Sequence, residues 1–498
     1  MTQTVSILEQ TLQQSENSFA ESNASIEKFL GCTYFEEKLE TFLKLSGIKE
    51  PINKEQLARM ISYQIAKIDE MLNESVNAIL HHPKFQKLEA AWRGLLFLTM
   101  EAEEVDDVKI RFLDVSWPQL VRDIDRAIEF DQSNLFRKVY NAEFGVAGGE
   151  PYGVLLGDYF VRHKPGPGYK TDDVNTLREI SQVAAASFAP FIASADPALF
   201  GLDDFHGLGL PINYEAIFSQ AEYRSWNSFR ESEDSRFIGL TVPKMLMRLP
   251  YEHDTFRSDR FNFKEDVSEP NNKNYLWGNA CYAFGAILIQ SFARNAWFTD
   301  IRGSHEGIDA GGVVADLPVP SFKTDKAGVA LKYSTDVLIT DFSEKLLSEH
   351  GFIPFCHDRN TMHAVFYGNQ SVQGAQHYDK KIAEINAKMS AMLQYVLCAS
   401  RFAHYIKVIG REKVGSFFSA EECENYLHKW LLSYSTASVG GSEEHLAKYP
   451  LSEAKVEVKE VLGKPGVYSC ITHLKPHMQL DQMVTAVKLV TELAEAKI

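Results

Sequence analysis

The sequence has few cysteines, and none of them are paired in a motif. Six cysteines are spread over 498 residues, and no two form a CxxC pair. Sparse, unclustered thiols in a chain of this length are typical of a reduced compartment, where cysteine packs as a small apolar residue. We therefore expect a reduced, cytosolic protein. The cysteines are Cys32, Cys281, Cys356, Cys398, Cys423 and Cys470.

Targeting signals and long apolar runs are also lacking. The N-terminus has neither a basic n-region nor an apolar h-region, so no secretory signal is predicted. The longest apolar run extends from Cys281 to Ile289 and contains Gly285. It is far short of the ~20 residues that span a bilayer. We therefore expect the protein to stay in the cytoplasm.

Basic charge is scarce. The chain has 51 lysines and arginines against 67 aspartates and glutamates, which gives a net charge of -16 at pH 7. A nucleic-acid-binding protein needs a basic face that displaces counterions, and an anionic membrane surface attracts the same residues. The balance therefore argues against both kinds of partner, although it says nothing about the fold.

The most glycine-rich stretch lacks the spacing of a phosphate-binding loop. Residues Ile301 to Gly312 contain no Gly-Lys-Ser/Thr sequence and no GxGxxG between a strand and a helix. We interpret the stretch as a shaped connecting loop. An anion site formed by Gly303 to Gly312 is the rival hypothesis.

Metal-ligating residue types cluster once in the sequence, without a zinc-like spacing. His350, Cys356, His357 and His363 lie close together, but they match none of the common zinc patterns. The large apolar residues around them are typical of a core. We therefore interpret these four residues mainly as core packing. A metal site is the alternative, and it corresponds to the rival function of a soluble metal- or phosphate-dependent enzyme.

Acid–base chemistry has no clear signature either. Asp203 and Asp204 with His206 could host it, as could the charge-dense segment from Arg230 to Arg236, although that segment more simply predicts a salt-bridged turn. His404 lies among apolar residues and is predicted to be a satisfied core histidine. Because no Ser/His/Asp or Cys/His signature occurs, we assign no catalytic, metal-binding or cofactor-binding residue.

The pattern of apolar residues predicts a mixed α/β protein of roughly two to four domains, with helices alternating with short strands. Strong helical spacing extends from Lys54 to about Leu80 and from about Lys84 to Met100. Further helices are predicted near 119–130, 175–188, 275–298, 379–409 and 420–434. Strands or extended segments are predicted near 108–115, 152–159, 190–193, 337–340 and 351–355, and a polar linker at 370–378.

The N-terminal 30 residues are rich in Ser, Gln, Thr and Asn, a composition typical of a tail that cannot offset its ordering entropy by burial. Two small apolar clusters lie within it, and each is a candidate for a short helix that orders on a partner. A plain disordered tail is the alternative. The clusters are Val5, Leu8 and Leu12, and Ile26, Phe29 and Leu30.

The C-terminal stretch is rich in strand-forming residues. Ala454, Val456 and Val458 alternate with charged residues, and a turn at 463–466 leads into a second extended run from Val467 to Leu474. A third segment, 480–493, fits a helix face or a β-branched strand equally well. We expect these strands to find few burial sites within the chain and to pair with another chain, because open strand edges recruit strands.

Several motifs, in order and spacing, resemble one family: the large sheath subunit of the bacterial type VI secretion system, called TssC, VipB or ImpC. The resemblance extends from about residue 53 to 493. Each motif alone is weak, but the ordered set is specific. The motifs are HHPKFQKLEAAWRGL (81–95), GGEPYG (148–153), GDY (157–159), RESEDSRFIGL (230–240), RLPY (248–251), IRG (301–303), CASRFAHY (398–405) and PL (450–451).

The resemblance implies a contractile, phage-tail-sheath-like α/β fold without catalytic residues. It implies pairing with the small sheath subunit (TssB or VipA), six-membered rings of this pair in a helical tube around an inner tube of Hcp, a baseplate, and a location in the bacterial cytoplasm. Its terminal strands are shared between protomers, which favours a strand at 483–490. The implied intersubunit strand residues are Val456, Val458, Tyr468, Ile471, Val484, Val487 and Leu489.

In the family, a short N-terminal helix is also gripped by the recycling ATPase ClpV. Residues 1–50 do not clearly match that helix, and the two N-terminal apolar clusters are the candidates for it. The implied organisation is an N-terminal arm (1–53), a sheath N-terminal α/β region (54–370) and a C-terminal sheath region (371–498). The alternatives to a sheath subunit are the soluble metal- or phosphate-dependent enzyme and an inert shell protein.

Overall fold

A computed structural model describes most of the chain. The described residues are 26–45, 53–103, 105–166, 168–252, 261, 263–268, 272–305, 308–320, 333–358, 361–376, 378–413, 419–436, 443–460, 468–477 and 487–493. The chain divides into two compact units. The first comprises Met1–Ser75 with Phe256–Phe263, and the second comprises Val76–Thr255 with Lys264–Ile498.

Helices dominate the described residues. The α-helices are α1 (26–31), α2 (Phe35–Leu45), α3 (Lys54–Leu80), α4 (Pro83–Glu101), α5 (Trp117–Arg126), α6 (Asn134–Phe136), α7 (Asp173–Ser187), α8 (Tyr214–Phe218), α9 (Arg224–Arg230), α10 (Cys281–Asn295), α11 (Asp341–Glu349), α12 (Lys381–Ser390), α13 (Leu393–Lys413), α14 (Ala420–Leu432) and α15 (Glu443–Lys448). A π-helix covers Arg137–Phe144, and 3₁₀ turns cover Phe130–Gln132, Pro197–Phe200, Phe205–Gly209, Ala221–Tyr223 and Asp234–Phe237.

The strands of the described residues form five small sheets. The strands are β1 (Leu155–Val161), β2 (Phe191–Ala195), β3 (Ile238–Val242), β4 (Met245–Leu246), β5 (Trp277–Gly278), β6 (Ser304–His305), β7 (Ile308–Gly311), β8 (Val313–Val314), β9 (Ile353–Pro354), β10 (Cys356–His357), β11 (Ala364–Val365), β12 (Leu451–Glu460), β13 (Tyr468–Pro476) and β14 (Val487–Leu493). Their orders are β1-β2-β3-β9, β10-β11-β8, β12-β13-β14, β4-β5 and β6-β7. The mixed α/β class is confirmed.

The first unit exposes its apolar helix stripe. α3 has no buried residue, although its apolar residues recur at helical spacing as predicted. Ile61, Ile65, Ile68 and Leu72 are all exposed. The stripe specifies a helix, but nothing in the described chain covers it.

A parallel sheet, β1-β2-β3-β9, is central to the second unit. β2 pairs in parallel with β1 and with β3, where Phe191 lies opposite Ile238. Alternate residues of β2 enter two different cores: Phe191 packs in the core that contains Leu177 of α7, and Ile192 packs in the core that contains Phe284 of α10. Helices therefore cover both faces of the sheet, as is usual for parallel strands.

One predicted strand is wrong. Residues 108–115 have no strand assignment, although they are described. In 108–115, the side chains of Lys109 and Arg111 bind the carboxylates of Glu150 and Glu143, and the main chain forms no strand ladder. Strand-like alternation alone does not make a strand where no partner strand is available.

The single long helix predicted at 379–409 is also wrong, because α12 and α13 are separate. The segment 369–371 runs past the break: Ser371 N donates to Ala391 O at 2.9 Å, and Leu393 N donates to Asn369 O at 2.8 Å. The interruption therefore has a tertiary cause. The predicted polar linker at 370–378 accordingly begins as buried backbone, with Ser371 and Val372 fully enclosed.

Candidate functional site: the C-terminal sheet

The C-terminal sheet is antiparallel, with β13 between β12 and β14. Val456 lies opposite Thr472, and Val458 lies opposite Cys470. On the other side of β13, Leu474 lies opposite Val487. The chain therefore pairs its own three C-terminal strands.

One face of this sheet is buried within the chain. Inward-facing residues of β12 and β13 join a core with residues of α13 and α14. The expectation that these strands find few burial sites in one chain is therefore wrong. The inward residues are Leu451, Ala454, Val456, Val458, Cys470 and Leu474, and their helical partners include Phe402, Ala403, Leu427 and Leu431.

The opposite face carries charge. Glu457 bonds Lys455 at 2.7 Å and lies 3.5 Å from Lys459, and Lys475 lies 3.7 Å from Glu453. The Lys455–Glu457 hydrogen bond raises the pKa of Lys455 and lowers that of Glu457. Such exposed pairs contribute little to stability, but charges along a strand discourage unspecific pairing.

The outer edge of β12 is partly occupied by the chain itself. Val458 N donates to the carboxylate Oε2 of Glu424, on α14, at 2.9 Å. Main-chain groups alternate in direction along an antiparallel strand, so Ala454 and Val456 direct their N–H groups to the same outer edge. Leu451, at the start of β12, is bridged to Ser435. Among the described residues, no main-chain group pairs with the N–H groups of Ala454 and Val456.

A buried histidine connects α13, which supports this sheet, to α7. His404 of α13 donates from Nε2 to the carbonyl oxygen of Ser187, at the end of α7, at 2.9 Å. The pKa of His404 is lowered to about 4, mainly by burial; the hydrogen bond to Ser187 opposes this shift, and the cations Arg401 and Lys407 on the same helix contribute to it. The predicted core position is confirmed, but only Nε2 is satisfied, because Nδ1 has no hydrogen-bond partner among the described residues. The residue is neutral at physiological pH.

The cations of α13 also contact the π-helix. Lys407 Nζ lies 3.9 Å from the ring centroid of Phe144, and Arg411 donates to the carbonyl oxygen of Val146. Aromatic faces and helix C-terminal carbonyls both attract cations. The C-terminal helices are thus anchored on the region that contains the parallel sheet.

Sequence reasoning missed a buried ion network that joins two of the motifs. Arg248 of the RLPY motif donates to Glu89 of the HHPKF motif at 2.7 Å and to Glu265 at 2.5 Å. Burial disfavours the charged guanidinium, but hydrogen bonds to Glu265 and Glu89 outweigh this, so the pKa of Arg248 is raised. Arg93 adds a bond to the Tyr251 hydroxyl at 3.0 Å. The sequence signal that could have predicted this network is the presence of opposite charges in two motifs that are distant in sequence.

Comparisons with known proteins decide the family. Two family models match consecutive parts of the chain: the EvpB/VC_A0108 tail sheath N-terminal domain at residues 62–373, and the EvpB/VC_A0108 tail sheath gpW/gp25-like domain at residues 382–493. The chain belongs to the type VI secretion sheath family, as a large subunit. Its role is that of a subunit of the contractile sheath.

Two curated proteins are similar to this sheath subunit. The type VI secretion system sheath protein TssC1 of Pseudomonas aeruginosa is 40% identical over 436 residues, which cover 87% of this chain and 86% of that protein. Malonyl-[acyl-carrier protein] O-methyltransferase of Bacillus cereus is 28% identical over 116 residues, which cover 22% of this chain and 43% of that enzyme. The second likeness is too partial to carry an activity.

The structure brings most of the candidate intersubunit residues of the sheath into one sheet. Val456 and Val458 lie on β12, Tyr468 and Ile471 on β13, and Val487 and Leu489 on β14, whereas Val484 lies outside the described residues. Val456 and Val458 have buried side chains that pack in the chain's own core. Any contact that they make with a neighbour therefore involves their main chain, and the intersubunit role stays a prediction.

The N-terminal candidate segments are described only in part. Ile26, Phe29 and Leu30 lie on the short helix α1, where Ile26 and Leu30 are exposed. The other cluster, Val5, Leu8 and Leu12, lies outside the described residues. Recognition of either cluster by ClpV stays a prediction.

The candidate ligand residues of the enzyme alternative have structural partners. His350 Nδ1 bonds the Leu346 carbonyl oxygen at 2.8 Å, and His357 Nδ1 bonds the Ser334 hydroxyl at 2.9 Å. Burial lowers the pKa of both histidines. Within the described ranges, no group of three or more His, Cys, Asp or Glu residues, including Cys356 and His363, is arranged to hold a metal ion.

The other candidate loops also have structural roles. The stretch from Gly303 to Gly312 contains the β6–β7 pair and is tied to Phe366 by main-chain bonds in both directions. Asp204 caps a 3₁₀ turn by accepting from His206 N at 3.1 Å. These arrangements shape loops, and the enzyme alternative is not favoured.

The segment from Arg230 to Arg236 is a turn, as predicted, but its bonds differ from the prediction. The guanidinium groups of its two arginines donate to main-chain carbonyl oxygens: Arg230 to Val372 at 3.1 Å and Arg236 to Glu233 at 2.9 Å. Gly374 N in turn donates to the Arg230 carbonyl oxygen. This motif therefore holds the 372–374 segment in place.

Among the helices of the described ranges, none combines the length and the apolar content that are needed to cross a bilayer.

Proposed function

We propose that this chain pairs with the small sheath subunit, and that the pairs stack as six-membered rings in a helical tube around an inner tube of Hcp. The tube stands on a baseplate in the bacterial cytoplasm, and its contraction propels the inner tube. Membership of the sheath family along residues 62–373 and 382–493 supports this proposal.

The observation that carries the tube proposal is the C-terminal sheet, which has a fixed inner face and edge strands on both sides. Its inner face is anchored by α13 and α14, so the sheet moves with the body of its own subunit. The outer edge of β12 has main-chain donors at Ala454 and Val456 that a strand of a neighbouring protomer can pair with. Main-chain pairing at this edge ties one protomer to the next.

Interlaced strands suit a contractile tube. Main-chain hydrogen bonds at a shared edge persist while rigid bodies rotate about them, so subunits stay tethered during contraction. The energy of contraction then resides in other interfaces, whose contacts differ between the extended and contracted states.

Recycling of the contracted sheath by ClpV is a further part of the proposal. The exposed Ile26 and Leu30 on α1 support Ile26, Phe29 and Leu30 as the recognition segment, with Val5, Leu8 and Leu12 as the alternative. Truncating the chain to remove each cluster in turn, and measuring ClpV binding, tests the two segments separately.

Expression of the chain alone and together with the small subunit tests the proposal. Electron micrographs should show open tubes only when both subunits are present. A monomer that binds zinc stoichiometrically and forms no tubes would support the enzyme instead, and closed shells would support an inert container.

A further inference from the structure

The start of β12 is held on its outer edge by the segment that follows α14. Leu451 N donates to the Tyr434 carbonyl oxygen at 3.2 Å, and Thr436 N donates to the Leu451 carbonyl oxygen at 2.9 Å. His477 Nε2 donates to the Thr436 carbonyl oxygen at 2.7 Å, so the segment is itself fixed. A neighbouring strand cannot pair at Leu451 without displacing these main-chain bonds.

The other end of the same edge is held by a side chain. Glu424, in α14, accepts from Val458 N at 2.9 Å, a length typical of a hydrogen bond to a charged acceptor. Within the described ranges, this is the only hydrogen bond that the Glu424 carboxylate makes. The carboxylate can therefore leave as soon as another acceptor reaches Val458 N, without breaking a second bond.

The end of α14 does not require the Glu424 carboxylate. The Ser419 hydroxyl caps the helix by accepting from Glu422 N at 3.2 Å. Glu421 and Glu422 already place negative charge in the first turn, where the helix dipole favours it. Completion of the helix end therefore does not explain why Glu424 contacts β12.

Between its two ends, the outer edge has main-chain groups that are open to a partner. Ala454, Val456 and Val458 are alternate residues of β12, so the N–H and C=O groups of all three face away from β13. Among the described residues, no main-chain group pairs with the N–H groups of Ala454 and Val456. A strand that also reaches Val458 gains a longer ladder than one that stops at Val456.

An open edge is a liability in a free subunit, because it pairs with extended segments of other chains. A carboxylate bound to one N–H group shortens the open stretch and places a negative charge beside it. The protection is reversible, since a side-chain acceptor and the carbonyl oxygen of an incoming strand compete for the same N–H group.

We propose that Glu424 is a releasable cap on the outer edge of β12. It accepts from Val458 N in the free subunit, and a carbonyl oxygen of the neighbouring strand replaces it in the tube. The inference rests on the proposed function, in which a strand of a neighbouring protomer pairs at this edge, and it adds a step to assembly. We call the contact between Glu424 and Val458 N the edge cap.

The edge cap reduces the fraction of free subunits whose edge is open as far as Val458. A binding step that needs the open form is weakened by that fraction, so removing the carboxylate should speed assembly. A contact that only supports the sheet has the opposite sign, because its loss slows assembly or leaves it unchanged. The direction of the effect therefore distinguishes a cap from a support.

Assembly kinetics measure this direction. The full chain is mixed with the small sheath subunit, and the lag before the onset of light scattering is recorded. Glu424→Ala removes the acceptor and should shorten the lag about threefold or more. Glu424→Gln keeps a weaker, neutral acceptor and should give an intermediate lag.

The matched control is Glu421→Ala, which removes the same charge from an exposed position on the same helix. It should keep the lag of the natural chain. A lag for Glu424→Ala that is no shorter than the lag for Glu421→Ala would overturn the edge cap.

Hydrogen exchange tests whether the neighbouring strand replaces the carboxylate. In the free subunit, the Val458 amide should exchange faster in Glu424→Ala than in the natural chain. In assembled tubes it should exchange slowly in both, because a carbonyl oxygen of the neighbouring strand accepts from it. The Glu457 amide faces β13 and should stay protected throughout. Fast exchange of the Val458 amide in tubes of Glu424→Ala would show that the neighbouring strand does not reach it.

The outcomes separate the edge cap from the proposed function. If the natural chain and the small subunit form no tubes, the proposed function is wrong and the edge cap fails with it. If tubes form, but Glu424→Ala and Glu421→Ala assemble with the same lag, the proposed function stands and only the edge cap is wrong. If circular dichroism shows Glu424→Ala to be misfolded, Glu424→Gln provides the same comparison with a milder change.

Discussion

The two larger sheets of this protein differ in what lies on their faces. The parallel sheet, β1-β2-β3-β9, is covered on both sides, and all five residues of β2 and all five of β3 are buried. The C-terminal sheet is covered on one side only, and its other face carries a row of charges. The first sheet is a core that maintains the subunit, whereas the second is anchored on one face and has the edge that we propose pairs with a neighbour.

The largest expected effect comes from truncating a leucine in each sheet. Leu240→Ala in β3 and Leu474→Ala in β13 both remove a fully buried side chain. We expect a loss of about 3–5 kcal/mol in the free energy of unfolding for Leu240→Ala, and about 2–3 kcal/mol for Leu474→Ala, because a one-sided sheet can relax into the void. Denaturant unfolding measures both values.

Hydrogen exchange sharpens this comparison. Leu474→Ala should raise exchange in β12 and β13 while β2 and β3 remain protected. Equal loss of protection in both sheets would show that they unfold as one unit, which contradicts the distinction between core and connecting element.

Acid should weaken the contact that His404 makes between α13 and the end of α7. Its ordinary pKa of 6.5 falls to about 4 in the folded chain, so the unfolded chain binds a proton more readily. The shifted pKa contributes about 3 kcal/mol to the free energy of unfolding. This contribution is fully present above pH 6.5 and is lost as the pH falls towards 4.

The measurement is the pH dependence of unfolding for the natural chain and for His404→Gln, which keeps a donor for the Ser187 carbonyl oxygen but does not titrate. Carboxylates that titrate in this window cancel in the difference. The difference between the two chains should change between pH 6.5 and 4 and be flat below 4. A constant difference would mean that His404 titrates normally.

Proline substitutions distinguish the ladder of β12 from its outer edge. Val458 N faces Glu424, so by alternation Glu457 N faces β13. Glu457→Pro removes a ladder bond and should cost about 1–3 kcal/mol of stability, whereas Val458→Pro keeps the ladder but removes the bond to Glu424 together with a side chain that packs in the core.

Tube assembly provides a second test of this edge. Val456→Pro removes a main-chain donor from the part of the edge that Glu424 does not occupy, so it should abolish full-length tubes if a neighbouring strand pairs there, and truncation after Pro450 should do the same. Normal tubes from Val456→Pro would contradict strand addition at β12.

The smallest expected effect is that of Glu424→Gln. The amide oxygen still accepts from Val458 N, but the charge is lost, so we expect a change in stability below about 1 kcal/mol. If Glu424 also competes with an incoming strand, the variant should assemble faster when the onset of light scattering is followed. Slower assembly would mean that the carboxylate supports the edge instead.

Local sequence patterns were sufficient for several elements of the fold. The apolar spacing of α3 and α4, the strand alternation of β12 and the core position of His404 were all predictable, because each depends on a periodicity within a few turns or residues. The failures share a cause outside the local sequence. Residues 108–115 alternate like a strand but have no partner strand in the part of the chain that the structure describes, and the helix predicted through Ala391 is interrupted by the segment 369–371.

The C-terminal stretch shows which features the sequence determines and which depend on the tertiary structure. Its sequence by itself determined the first two strands and the alternation of apolar and charged residues in β12, whereas the third segment fitted a helix or a strand equally well. Only the tertiary structure decided that the apolar side faces α13 and α14, and that Val458 N is held by Glu424. The reason is physical: periodicity specifies which face of a strand is apolar, whereas what covers that face depends on contacts between residues far apart in the chain.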